Sequence, residues 1–193
     1  MTPLKQVKSH IWPRDEHDWY IEPAWCSKRL FGVETFEGSI YDPACGRGTI
    51  LRSAIDALPG RIVFGTDIVH RDVMCMEEVD FLGDRDFPTA DNIVSNPPYR
   101  RSREFVNRAL EAARFKVAML MPALWVLGDE RSRWLEKTPL SKVYFLTPRP
   151  SMPPGEAILA GAVPMGGTTD FAWFVWEHGY DEVPIVRWLR RES

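Results

Sequence analysis

The sequence predicts an α/β fold in which a mostly parallel sheet carries helices on both faces. Three observations lead there. Short apolar runs rich in β-branched or aromatic residues recur along the chain, helix-length stretches separate them, and the runs are apolar at nearly every position. Strands apolar throughout are buried on both faces, as happens when helices cover a parallel sheet from either side.

The runs fall at residues 39–42, 61–67, 92–95, 116–122 and 143–147, with a sixth, aromatic one at 171–177. Helix-like stretches lie at 49–58, 103–115 and 129–137. The second of these places Phe105, Val106, Ala109, Leu110 and Ala113 on one stripe at spacings of three and four. Residues 149–169 are rich in proline and glycine and keep no period, so they read as a long mobile loop, a length usually reserved for function or disorder. With 193 residues, 45% apolar and 26% charged, the chain suits a single domain, residues 1–17 forming an N-terminal extension. The rest of the sheet consumes the residues after Tyr99, leaving no room for a separate second domain.

Composition excludes several classes. No run of about 18 apolar residues is present to span a membrane, and the first residues lack the apolar core of a signal peptide. Cys26, Cys45 and Cys75 are odd in number and too far apart for a metal knuckle, which suits a reducing cytoplasm and no metal site. His10, His17, His70 and His178 show no partner pattern. Lys plus Arg total 24 against 27 acids, a net charge of −3, so any contact with phosphates must be local. The candidates are Arg100, Arg101 and Arg103; the pair Arg131 and Arg133 and the group Arg187, Arg190 and Arg191 read as solvated faces.

Chemistry concentrates at the strand ends. Asp42-Pro43-Ala44-Cys45-Gly46-Arg47-Gly48 is an acid followed by a glycine-rich turn and a helix start, where a ligand can approach backbone without meeting a Cβ. Alone, such a turn is as compatible with a structural role. It is neither a P-loop nor a full dinucleotide pattern, because Leu51 stands where the third glycine belongs. Asp67 ends the second strand 19 residues past Gly48, where nucleoside-binding sheets hold ribose hydroxyls. Asp80 follows, able to accept from an adenine amino group while Phe81 covers the ring. Together these favour an adenosine-containing cofactor. A buried strand then runs into Asn96-Pro97-Pro98-Tyr99. Both prolines lack N–H and fix their φ, so the stretch presents the Asn96 side chain and the Pro97 carbonyl as acceptors beside a flat Tyr99 ring. That arrangement suits a planar group bearing an NH₂.

On these residues the chain resembles the S-adenosylmethionine-dependent DNA adenine-N6 methyltransferases, in particular the small phage- or prophage-type members with an Asn-Pro-Pro-Tyr motif. The resemblance extends from about Asp18 to Trp176. It includes Asp18-Trp19-Tyr20-Ile21-Glu22-Pro23, similar to the segment that closes over the cofactor's methionine end, although the family commonly has Thr where this chain has Glu22. It also includes residues 147–151 and 169–176, similar to the last two strands. The resemblance implies a Rossmann-like class I methyltransferase fold with a mostly parallel seven-stranded sheet. It implies a cofactor site for S-adenosyl-L-methionine at Tyr20, Pro23, Asp42, Ala44, Cys45, Gly46, Gly48, Asp67, Ile68, Asp80 and Phe81. Catalysis falls to Asn96, Pro97, Pro98 and Tyr99, acting on an adenine flipped out of duplex DNA, with Arg100, Arg101 and Arg103 at the phosphates. Adenine in RNA and a glutamine amide in a protein present the same planar NH₂ and stay open as substrates, and a binding module that keeps the fold without the reaction is a further alternative. Cytosine-N4 enzymes more often carry Ser before the two prolines.

Overall fold

The computed structural model describes residues 18–72, 74–76, 78–83, 87–164 and 166–192; the expected N-terminal extension, with His10 and His17, lies outside them. In chain order the elements are α1 (Ala24–Phe31), β1 (Ile40–Asp42), α2 (Thr49–Ala57), β2 (Val63–Gly65), β3 (Ala90–Ser95), α3 (Ser102–Ala112), β4 (Ala113–Pro122), α4 (Asp129–Leu135), β5 (Leu140–Thr147), α5 (Gly155–Leu159), β6 (Phe171–Glu177) and β7 (Ile185–Arg190). Single 3₁₀ turns follow β3 at Tyr99–Arg101 and β4 at Ala123–Leu127.

Seven strands form one sheet in the order β2-β1-β3-β4-β6-β5-β7. β1 pairs in parallel with β2 and β3, β3 with β4, and β5 with β7. The sheet is nevertheless mixed, because β6 runs antiparallel to both β4 and β5. β6 enters the slot between them from the end where β5 finishes. Lacking a crossover helix to carry the chain back to the start, it must run in the opposite sense.

The central apolar runs are buried on both faces, as their composition predicts, while the run at 61–67 forms the edge strand β2 and is only partly covered, with Ile62 exposed. Along β4, Val117, Met119 and Met121 join one core while Ala118 and Leu120 join the other. Trp173 and Trp176 of β6 likewise face opposite cores and are both fully buried. Helices α1 and α2 cover one face through Cys26, Leu30, Ile50 and Ala54; α3 covers the other through Phe105, Val106 and Ala109. Residues 113–115 leave the expected helix to begin β4, since Ala113 is drawn into register with Ala90 of β3 and sheet pairing overrides the helical stripe. The segment 149–169 is not loop throughout: Met152, Pro153, Pro154 and Gly155 are buried and lead into α5.

At the N-terminal edge of the strands, Glu34 is buried among Lys116 (3.0 Å), Lys142 (2.9 Å) and the Tyr144 hydroxyl. The opposite edge carries the loops with the candidate chemistry.

Candidate active site

β1, β2 and β3 point their C-terminal ends toward one cavity of about 330 Å³. The chain leaves β1 for β2 on one side while β3 packs on the other, so the strand order reverses here and the loops splay apart into a crevice.

The glycine turn forms the floor. Gly46 (φ +51°) and Gly48 (φ +73°) take left-handed backbone that side chains disfavour. The turn is stitched to the end of β2: Cys45 N–H donates to the Thr66 carbonyl (3.0 Å) and Gly46 N–H to Asp67 Oδ2 (2.8 Å). Gly65 permits this approach, since a Cβ there would lie 2.7 Å from Cys45 Cβ and from Leu51 Cδ1. Asp42 is buried beneath the turn, accepting from the Ser95 hydroxyl (2.7 Å) and Ala44 N–H (3.1 Å). Burial pushes its carboxyl well above the usual range despite those bonds, with Glu22 and Asp67 adding to the rise.

Asp67 also accepts from Val69 N–H (3.0 Å) and pairs with Arg71 (2.6 Å). The Arg71 guanidinium lies 4.5 Å over the Trp19 ring. Asp80 is solvent-exposed at the cavity wall and accepts from Leu82 N–H (3.0 Å). Phe81 beside it is buried, tucked against Tyr41, Phe87 and Phe105.

On the far wall, β3 delivers Asn96. Its Nδ2 donates to the Tyr20 carbonyl (2.9 Å) and to Glu22 Oε2 (3.0 Å), and its Oδ1 accepts from the Tyr99 hydroxyl (2.8 Å). Tyr99 stacks on Tyr20, centroids 5.7 Å apart at 11°, and meets Phe171 on its other side. Glu22 is buried, and burial lifts its carboxyl to about 7 against the bonds it accepts from its own backbone, Asn96 and Thr49.

Of the expected cofactor residues, Tyr20, Asp42, Ala44, Cys45, Gly46, Asp67, Ile68, Asp80 and Phe81 line the cavity; Pro23 and Gly48 do not. Asn96 and Pro98 line it too, whereas Pro97 and Tyr99 do not. Arg100 and Arg101 reach its rim and Arg103 stays outside. All three are partnered: Arg100 with Asp18 (3.7 Å), Arg101 with Glu104 (2.6 Å) and Arg103 with Glu130 (2.9 Å). Asp18, Trp19 and Glu22 line the cavity within the segment that the resemblance pointed to but assigned no individual role, and sequence reasoning did not assign Thr49 or Arg71, which line it too. The only signals were the unusual Glu22 and the placement of Arg71 four residues beyond Asp67.

Residues 18–22 act as a strap across this site. Asp18, held at φ +53°, accepts from Arg100 N–H (2.9 Å) while Tyr20 and Glu22 hold Asn96. On the other side Gly155 N–H donates to the Trp19 carbonyl and Ile21 N–H to the Pro153 carbonyl, both at 3.0 Å. Among the described residues no group of three or more His, Cys, Asp or Glu side chains is arranged for a metal, and no helix is long and apolar enough to cross a membrane.

Compared with family models and with curated proteins, the sequence finds no match. Solved structures do share the fold. The EcoKI M protein of a type I restriction enzyme superposes with a TM-score of 0.60 at 14% identity, over 91% of this chain and 49% of that one. A modification subunit of a putative type I restriction enzyme from Vibrio vulnificus YJ016 gives 0.57 at 14%, over 86% and 45%. TrmN from Thermus thermophilus gives 0.50 at 20%, over 80% and 48%. The protein therefore has the Rossmann-like methyltransferase fold. It spans about half the length of each of these structures.

Proposed function

We propose that the protein is an S-adenosylmethionine-dependent methyltransferase acting on the exocyclic N6 amine of adenine in DNA. The observation that carries this reading is that the Asn96 amide and the glycine turn after β1 face one cavity. The cavity residues fit the cofactor. Its volume lies within the range typical of small-molecule sites. A Cβ on Gly46 would stand 3.0 Å from Trp19 Nε1, so this side of the cradle needs a bare backbone. Asp67, just past β2, and Asp80, in the loop between β2 and β3, supply acceptors for ribose and adenine, and Tyr20 and Phe81 supply apolar walls.

When bound, S-adenosylmethionine supplies a methyl carbon that an amine nitrogen attacks in one displacement, the electrons of the C–S bond staying on sulfur. The chain's own task is to ready that nitrogen, whose lone pair is delocalised into the adenine ring. Asn96 Oδ1 accepts one amine hydrogen and draws the nitrogen toward tetrahedral geometry; the Pro97 carbonyl, set back from the cavity lining, takes the second only if the loop shifts toward the seated base. Oδ1 has two lone pairs, so it can serve the amine while Tyr99 holds the other. Positioning of this kind supplies about 7–11 kcal/mol of a barrier. The proton freed after transfer leaves to water, and no side-chain base is required. The adenine leaves the duplex stack to reach Asn96, at a cost of a few kcal/mol, while Tyr99 stays against Tyr20 and keeps its hydroxyl on Oδ1.

A second reading, transfer to a glutamine amide of a protein, draws on the net charge of −3 and on the acid that partners each arginine near the site. Labelled-methyl transfer offered to duplex DNA, RNA and a protein substrate separates the two. We expect label on DNA adenine, and a loss of at least about 10²-fold in Asn96→Ala with donor affinity kept. A chain that binds no donor, or an Asn96→Ala variant that transfers at full rate, overturns the reading.

A further inference from the structure

We propose that Glu22 is a positioning residue that fixes which way round the Asn96 amide sits, its carboxylate holding the NH₂ so that Oδ1 faces the target amine. This rests on the reading of Asn96 as the acceptor for that amine.

An amide can be turned end for end at almost no cost in shape, and only its partners decide which atom points where. Here Nδ2 has two acceptors, the Tyr20 carbonyl at 2.9 Å and Glu22 Oε2 at 3.0 Å. Turning the amide would set Oδ1 against both, one of them a buried carboxylate. The Tyr99 hydroxyl at 2.8 Å from Oδ1 fits the same orientation, since it can donate there. Tyr20 and Glu22 both belong to the strap, so the catalytic asparagine takes its orientation from a segment more than 70 residues away in sequence.

The hold depends on charge. Glu22 is 8% exposed, and burial raises its carboxyl to about 7. The groups facing it are the Asp42 carboxyl from the end of β1, the Cys26 thiol of α1, the Tyr99 phenol, and the Thr49 hydroxyl of α2. None of these is a cation, so Asn96 and Thr49 are the side chains that hold the carboxylate. Above pH 7 the ionised carboxylate locks the amide. Below it, the protonated carboxyl carries a hydrogen of its own and no longer selects Nδ2 over Oδ1.

Asparagine-selective ¹⁵N NMR tests this without any transfer reaction. The chain has three asparagines, Asn92, Asn96 and Asn107, and the Asn96 side-chain signal is the one lost in Asn96→Ala. Between pH 6 and 8 the wild-type signal should move with a midpoint near 7 and be flat in the near-isosteric Glu22→Gln, whose amide spectrum reports whether it is folded. The transfer rate on adenine-containing DNA should decline through the same midpoint and level off about tenfold lower, because the Tyr20 carbonyl still holds Nδ2 when Glu22 is protonated. In Glu22→Gln that limb should vanish, with a rate about tenfold lower at pH 8. A titration that survives Glu22→Gln assigns the proton to Asp42 or another group and overturns the inference. So does an Asn96 signal that does not titrate in the wild type. A wild type that transfers no methyl to adenine yet shows the Glu22-dependent movement overturns the proposed function and leaves the hold of Glu22 on the Asn96 NH₂ established.

Discussion

Glu22 ionises near 4.5 in an unfolded chain and near 7 in the cavity wall. The folded protein therefore binds a proton between those values that the unfolded chain has released, and its stability declines as pH rises through that window. Glu22→Gln removes the penalty while keeping the shape, so it should be more stable than wild type at pH 8, by about 3 kcal/mol, with the difference closing below pH 4.5. Urea unfolding at the two pH values measures this. A more stable but slower variant is the pattern expected where a strained group serves chemistry rather than folding. Gly46 is a second case. At φ +51° with Trp19 close by, Gly46→Ala should lose about 1–2 kcal/mol of stability. Its larger effect should be on donor affinity, read by calorimetric titration. Both glycines of the turn and the Asn-Pro-Pro-Tyr loop were legible because neighbouring residues alone set their conformation. The grip of Glu22 on Asn96 joins residues 74 apart, and nothing local records it.

Among the elements, β4 and β6 were legible because burial on both faces leaves little but apolar residues in them, whereas β3, with Asp91, Asn92 and Ser95 among its six residues, was legible from Ile93 and Val94 running into the asparagine loop. α1 and β7 were missed for the complementary reason. α1 begins at a proline with no capping side chain and no acid in its first turn. β7 lies at the sheet edge with only Leu189 buried, and Arg187 and Arg190 interrupt its apolar pattern. The strap at residues 18–22 was placed by resemblance, but the dependence of Trp19 on α5 was not. A Cβ on Gly155 would fall 2.3 Å from the Trp19 ring. Gly155→Ala should therefore dislodge Trp19 from Arg71 and from the glycine turn and weaken donor binding, with the core and the far-ultraviolet dichroism unchanged.

For the molecule as a whole, the sheet separates stability from chemistry by putting them at opposite ends of the strands. At the N-terminal edge the two lysines and the Tyr144 hydroxyl hold the Glu34 carboxyl below its usual range against the cost of burial. A carboxyl lowered in the fold stabilises it above about pH 4.5, and that contribution is lost as pH falls through the folded value. Glu34→Gln should cost about 2 kcal/mol at neutral pH, because it removes the charge-assisted bonds at 3.0 and 2.9 Å and leaves Lys116 and Lys142 only the more distant Glu177, at 3.5 and 3.8 Å, as counter-charge. It should leave donor affinity alone. At the other end, Arg100, Arg101 and Arg103 are the cations nearest Asn96 in sequence in a chain that is acidic overall. If DNA is the substrate, replacing all three with Gln should weaken binding and flatten its dependence on salt. Unchanged binding would leave these arginines to their present acid partners.

Five consecutive residues, Asp18 to Glu22, are fastened to the asparagine loop on one flank and to the turn before α5 on the other. Trp19 roofs the glycine turn and Glu22 grips the asparagine, so peeling the roof back to exchange the contents of the pocket also releases the amide. Under the proposed function, a strap that moved off the pocket would free the asparagine at the same time, so both walls answer to a single short piece of backbone.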